Sequence, residues 1–203
     1  MWPQIVTLCA EFGVRRVIDI GCGNGALCRE LASRGYEVVG CEPSADGIRF
    51  AQNSAPELVF HQIGVDDPSA VGAGSFDVAI ATEVIEHLVR PRNLLGFAKQ
   101  LLRPGGHLII STPYHGYLKN LFIALSNKWD SHLAPLWDGG HIKLWSRKTL
   151  SQLLREVVSA SFASLERVEC SPLEEHDHGC TEARRTWPMT PTTAPKLSCN
   201  AAD

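Results

Sequence analysis

The sequence predicts an α/β protein, a mostly parallel sheet with helices on both faces. Three observations predict it. Short apolar segments rich in β-branched residues alternate with helix-like segments through the first 158 residues. Residues 76–81 are nearly all apolar, as a strand covered on both faces requires. A glycine-rich turn follows the first strand and opens a helix, and in such sheets ligands gather at the carboxyl ends of the strands.

Each element follows from local pattern. Residues 14–20 form a strand, and residues 26–34 a helix with Leu27 and Leu31 at helical spacing and Gly35 as its stop. Residues 37–41 are the second strand. Ser44 is an N-cap for a helix reaching about residue 53. Residues 58–63 and 76–81 are the third and fourth strands. A helix over 84–102 is interrupted near Pro91, 103–106 is a turn, and 107–111 is the fifth strand. The pattern breaks over 114–146, an insertion rich in aromatics, Gly and His that reads as a lid or acceptor-binding loop. Within it Leu118, Leu121, Phe122 and Leu125 make an amphipathic stripe. Residues 147–158 form a further helix.

Residues 1–158 are thus one domain, and 159–203 a divergent, poorly ordered tail. The tail holds three of the seven cysteines and seven acids against four bases. Residues 162–170 allow one more strand; beyond them no periodicity is visible, so the C-terminal end is incomplete or divergent.

Composition narrows the class. Hydrophobic residues make up 44% and charged residues 20%, an ordinary globular balance. Nineteen bases against twenty-two acids exclude bulk nucleic-acid binding through net charge. The cysteines form no CxxC pair and are odd in number, which predicts a reduced, cytoplasmic protein. No apolar run approaches the ~18 residues of a membrane span, and the first residues lack the pattern of a signal peptide.

The loop V17-I-D-I-G-C-G-N-G25 carries the first chemistry. Gly21, Gly23 and Gly25 permit a tight turn and close approach of backbone to ligand, with the next helix N-terminus aimed at it. Glu42 lies 21 residues after Gly21, at the end of the second strand, where a carboxylate accepts both hydroxyls of an adenosine ribose. Gly21, Gly23 and Ala26 also satisfy a dinucleotide fingerprint, which keeps a nicotinamide-dependent oxidoreductase as the alternative. Asp19 argues against it: a carboxylate in the loop suits an ammonium or sulfonium better than a pyrophosphate. The ligand implied is S-adenosylmethionine.

The ordered set DIGCGNG, CEPS, FDVAIATEVIEHL and LLRPGG resembles the successive motifs of class I S-adenosylmethionine-dependent methyltransferases, over residues 14–112. EVIEHL and STPYHGYLKN resemble the ubiquinone-biosynthesis O-methyltransferases, and EVIEHL and STP also the small-RNA 2′-O-methyltransferases. The resemblance implies a Rossmann-like fold. It implies that Asp19 and the three glycines hold the methionine part, Glu42 the ribose, that Pro43 lies beside the adenine, and that Thr82 borders the methionine. Where the family often has an acid contacting the adenine amino group, this chain has Val65, so Asp66 or a backbone carbonyl must serve.

The catalytic candidates are Glu83, Glu86 and His87, at neighbouring positions of one helical face after the fourth strand. With His141 from the insertion they make a ligand set for a divalent metal, Mg or Zn, which the resemblance to the small-RNA enzymes also implies. The other reading makes His87 a metal-free general base and the glutamates partners of the helix dipole. The stripe at 118–125 is a lid packed on the core or, with Lys119, Lys128 and Trp129, a peripheral membrane surface over 118–129. The expected activity is methyl transfer to oxygen of a small or lipid-like hydroxylated molecule. A catalytically broken cofactor-binding protein is the further alternative, suggested by the tail.

Overall fold

The structure is a computed structural model that describes residues 2–66, 68–69, 71–130, 136, 140–161, 168–172 and 196–202. The chain opens with helix α1 (Trp2–Glu11), then runs β1 (Arg16–Ile20), α2 (Ala26–Ser33), β2 (Glu37–Cys41), α3 (Ala45–Ser54), β3 (Val59–His61) and β4 (Phe76–Thr82). A 3₁₀ turn at Ile85–His87 precedes α4 (Pro91–Leu101), β5 (Leu102–Pro113), α5 (Tyr117–Leu125) and α6 (Arg147–Ser161). Two further strands, β6 (Val168–Pro172) and β7 (Lys196–Ala202), complete the described elements. The sheet order is β3-β2-β1-β4-β5-β7-β6, and every ladder is parallel. Order reverses between β1 and β4, and such a switch point opens a crevice at the carboxyl edge.

The core follows the sequence pattern. Ile18, Ile20, Ala79, Ala81 and Ile110 face one layer of helices, packing with Leu94, Phe97 and Leu101 of α4 and Leu150, Leu153 and Leu154 of α6. Val17, Val78, Ile80 and Ile109 face the other, against Ile5, Leu8, Leu27 and Leu31. Alternate residues of each central strand thus meet opposite faces, both dry. Asp77 pins the amino edge by accepting from the Arg15 and Arg16 N–H groups at 2.7 and 2.8 Å and pairing with Arg103. Cys9, Cys22, Cys28 and Cys41 are buried free thiols.

Several expectations are corrected. The helix over 84–102 is two pieces, the 3₁₀ turn and α4. Pro91 restricts Arg90, which is extended at φ −117°, ψ 80°, and Glu83 sits at φ +54°, so no helix runs through. The turn at 103–106 lies inside β5, where pairing with β4 shifts register between Phe76 and Val78. Helix α1 was not marked by the sequence pattern. In the tail, the strand foreseen over 162–170 is placed at Val168–Pro172, residues 162–167 lying outside the described residues, and β7 pairs between β5 and β6, where the sequence reading marked no element.

The amphipathic stripe does not pack on the core. Tyr117, Leu118, Phe122 and Leu125 are 67–79% exposed, and Ile123 is the buried residue of α5. The inward face is fixed by other contacts. Asn120 Oδ1 meets His115 Nδ1 at 3.3 Å, and Lys119 lies close enough to Glu83 to favour its ionised form. With those positions facing in, 118, 121, 122 and 125 face out.

Candidate active site

The glycine loop leaves β1 under the carboxyl edge. Gly21 at φ +75° and Gly23 at φ +52° hold left-handed backbone that other residues resist. A Cβ on Gly23 would meet no atom within 4 Å, so its open side is where a ligand approaches. Gly25, also left-handed, caps α2. Glu42 crosses the mouth of the loop: the Gly23 N–H donates to Oε2 at 3.1 Å and the Ser44 N–H to Oε1 at 2.9 Å. Two backbone donors fix the carboxylate while lone pairs remain for further donors. Ser44 caps α3 by accepting from the Gly47 N–H at 3.2 Å.

Asp19 lies beneath, 1% exposed. The Cys28 thiol donates to Oδ2 at 3.4 Å, and Oδ1 has no partner among the described residues. Burial pushes its carboxyl up to about 7, opposed by the Cys28 bond and aided by the charge of Glu42. The bond with Cys22 and burial hold Cys28 far above the ordinary thiol range, so it stays a donor. An orphaned carboxylate oxygen under an open glycine loop fits a cationic amino-acid portion, and a fixed acid at the rim fits a ribose diol. The adenosyl sulfonium ligand suits these residues.

The remaining cofactor positions lie around the loop. Pro43 is exposed beside Glu42 and Thr82 is half-buried at the end of β4. Asp66 is exposed, and its Oδ1 accepts from Asn93 Nδ2 at 2.9 Å, which ties it to α4.

Above the end of β4, the structure brings Glu83, Glu86, His87 and His141 together. One ligand atom from each of Glu86, His87 and His141 lies within 4.8 Å of the others. Glu86 Oε1 is 3.9 Å from His87 Nε2 and 3.9 Å from His141 Nε2, with no hydrogen-bond partner among the described residues. The imidazoles stand edge to face, centroids 4.9 Å apart. Around an ion with bonds of ~2.0–2.1 Å, neighbouring tetrahedral ligands stand ~3.4 Å apart, so this donor set is slightly open for a metal of the zinc class and chemically suited to one. Glu83 stands behind the cluster. Its Oε1 accepts from Ser111 Oγ at 3.0 Å, and its carboxyl hydrogen-bonds Glu86. Burial raises both carboxyls, Glu86 to about 7, to which the charge of Glu83 contributes.

Main-chain contacts that no residue pattern announces assemble this cluster. The Ile142 and Lys143 N–H groups both donate to the Glu86 carbonyl at 3.0 Å. The Gly140 carbonyl faces His87 Nδ1 at 3.3 Å, which assigns the proton to Nδ1 and turns the Nε2 lone pair to the cluster. Sequence reading also missed Ser111 and Thr112. Thr112 Oγ1 donates to Glu86 Oε2 at 2.9 Å and aims Oε1 at the imidazoles. The signal was present: successive hydroxyls end β5, the neighbour of β4.

Fold and loop together define an α/β protein that holds an adenosine-bearing ligand at the carboxyl edge of its sheet. The class is narrower still: the methyltransferase-domain model matches residues 2–157, and the chain belongs to that family. This sets aside the nicotinamide-dependent reading of the same glycines. A protein of Aromatoleum aromaticum named ubiquinone biosynthesis O-methyltransferase is 29% identical over 146 residues, 70% of this chain and 62% of that one. One of Acinetobacter baylyi with the same name is 25% identical over 167 residues, 80% and 70% of the two chains. This chain therefore spans about three fifths of the length of the Aromatoleum protein. A plantazolicin methyltransferase, solved with S-adenosylhomocysteine, shares the fold at a TM-score of 0.62 and 17% identity, covering 77% of this chain and 62% of the other.

Proposed function

We propose that the chain transfers a methyl group from S-adenosylmethionine to a hydroxyl oxygen of a small or lipid-like acceptor. The observation that carries the reading is the convergence of Glu86, His87 and His141 at the carboxyl end of β4, the strand beside the one that opens into the glycine loop. The names of the relatives support oxygen as the atom methylated.

The bound cofactor supplies an already activated methyl carbon, so alignment of acceptor oxygen, methyl and sulfur is the first requirement, a contribution of about 7–11 kcal/mol at its largest. Asp19 and Glu42 supply it by fixing the two ends of the cofactor. The second requirement is loss of the hydroxyl proton. A phenol with a pKa of about 10 is about one part in a thousand ionised at neutral pH, a deficit near ~4 kcal/mol. His87 Nε2 accepts that proton, its tautomer held by the Gly140 carbonyl. The bound cofactor would supply its methyl carbon to that oxygen, the sulfur keeping the bonding pair as S-adenosylhomocysteine leaves. Glu86, His87 and His141, backed by Glu83, would alternatively hold a divalent ion, which when bound lowers the pKa of the acceptor hydroxyl. Turnover measured with and without EDTA separates these two roles. Loss of turnover with cofactor affinity intact supports the metal, and full turnover leaves His87 as the base. Failure of S-adenosylhomocysteine to bind would overturn both.

We also propose that α5 and Trp129 make a peripheral lipid contact. No helix among the described residues is long and apolar enough to cross a membrane. The outward stripe of Leu118, Leu121, Phe122 and Leu125, with Lys128 and Trp129 nearby, suits an interfacial helix, while Lys119, expected to join it, lies toward Glu83. Sedimentation with anionic vesicles should deplete the wild type and spare Phe122→Ser. Equal sedimentation of the two would contradict it.

A further inference from the structure

A cavity of about 580 Å³ lies between the start of α4 and the flank of α6, and none of its walls belongs to the glycine loop. We propose that it is an oxyanion subsite, which takes a carboxylate or phosphate carried by the methyl acceptor. The inference rests on the methyltransferase reading for its biological meaning.

Charge is the first argument. Arg90, Arg92, Lys143 and Glu156 line the cavity. Glu156 is already satisfied: Arg92 pairs with its Oε2, and Gln152 Nε2 donates to its Oε1 at 2.9 Å. Arg90 and Lys143 have no acidic partner among the described residues. Two cations therefore face one space without counter-charge, and Lys143 is half-buried. An incoming oxyanion would gain a charge-assisted hydrogen bond from each cation.

The second argument is independent of charge. Trp145 also lines the cavity, is 8% exposed, and its indole Nε1–H has no acceptor among the described residues. Buried donors almost always find a partner, and a lone one marks a place where an acceptor arrives. An indole N–H can only donate, so what it awaits is an oxygen. The first turn of α4, an eleven-residue helix that starts at Pro91, adds its positive end to the same wall.

Position links the cavity to the reaction. The segment that brings His141 to Glu86 continues directly into Lys143, whose N–H is held at 3.0 Å by the Glu86 carbonyl. Trp145 is fixed in turn: the His115 N–H donates to its carbonyl at 2.7 Å, and it forms a bridge with Tyr114. One rigid strip thus carries a proton-accepting or metal-binding nitrogen at one end and two oxyanion donors at the other. A ligand anchored by its anion at Lys143 and Trp145 has a fixed direction relative to the cluster.

The test is titration of the full chain, saturated with S-adenosylhomocysteine, with inorganic phosphate and separately with benzoate, chloride holding ionic strength constant. The expected result is saturable binding of at least one anion. Phosphate saturation assigns a phosphorylated acceptor, and benzoate saturation a carboxylated one. Lys143→Gln and Arg90→Gln should each weaken it about tenfold, the effect of losing a charged hydrogen-bond partner. Trp145→Phe should weaken it severalfold with no fall in melting temperature, since the lost N–H has no acceptor among the described residues. Both anions acting no differently from chloride, or variants binding as the wild type does, would overturn the subsite. If S-adenosylhomocysteine itself fails to bind, the methyltransferase reading fails, and the same titration on ligand-free protein still decides the cavity.

Discussion

Replacing Asp19 by Asn should make the protein more stable at neutral pH and worse at holding its cofactor. Asp19 is buried with an oxygen that no described residue satisfies, and burial lifts its carboxyl to about 7. An unfolded aspartate titrates near ~3.9. Below that value both states are protonated and folding carries no penalty. Between the two values the native state alone keeps the proton, so stability falls as pH rises. Above about 7 both states are ionised, and the native state bears the whole cost of a buried charge. The gap corresponds to about 4 kcal/mol across the window. Asn has no proton to lose there. The stability difference between Asp19→Asn and wild type should therefore grow by about that amount between about pH 4 and about pH 8. Urea unfolding of both ligand-free proteins at the two pH values reads it directly, because the two differ at this one side chain. The same variant should bind S-adenosylhomocysteine more weakly, having lost the charge that meets the ammonium. A stability difference independent of pH would refute the buried-carboxylate argument.

Other perturbations test neighbouring parts. Gly23→Val puts a branched side chain at φ +52°, costing about 1–2 kcal/mol by differential unfolding, and should abolish cofactor binding by filling the open side of the loop. Ser44→Ala removes the α3 cap and should cost about 1 kcal/mol with cofactor affinity nearly kept. His141→Ala should reproduce the effect of EDTA on turnover while leaving S-adenosylhomocysteine affinity unchanged; a variant with wild-type turnover would remove His141 from the chemistry.

The conformation of the glycine loop was legible because its constraints are local. Glycines at 21, 23 and 25 answer backbone angles that other residues resist, and Glu42 follows from where β2 ends. The strands were legible where both faces are buried, as in β4. What escaped depended on main chain or on partners. A span of three residues cannot tell a 3₁₀ turn from an α-helix, so Glu83, Glu86 and His87 were placed on the wrong kind of turn while their proximity stood. His141 reaches Glu86 through the Ile142 and Lys143 N–H groups, and every residue except proline carries such a group. The α5 stripe announces an apolar face but not which way it turns; that is set by Asn120 and His115. Helix α1 carried its signal in Ile5, Leu8 and Cys9, now buried at helical spacing. The sequence of β7, K196-L-S-C-N-A-A202, alternates polar and apolar residues over 196–201, but it has no β-branched residue and Leu197 is its one large apolar side chain, so the alternation was missed.

The most direct test of the central claim is calorimetric titration with S-adenosylhomocysteine beside NAD, on wild type and on Glu42→Ala. The account predicts one S-adenosylhomocysteine site per chain and no NAD binding. It also predicts at least a tenfold loss of affinity in the variant, since a charge-assisted pair of ribose hydrogen bonds contributes about 1.5–3 kcal/mol. Binding of NAD in place of S-adenosylhomocysteine, or unchanged affinity in Glu42→Ala, would contradict it.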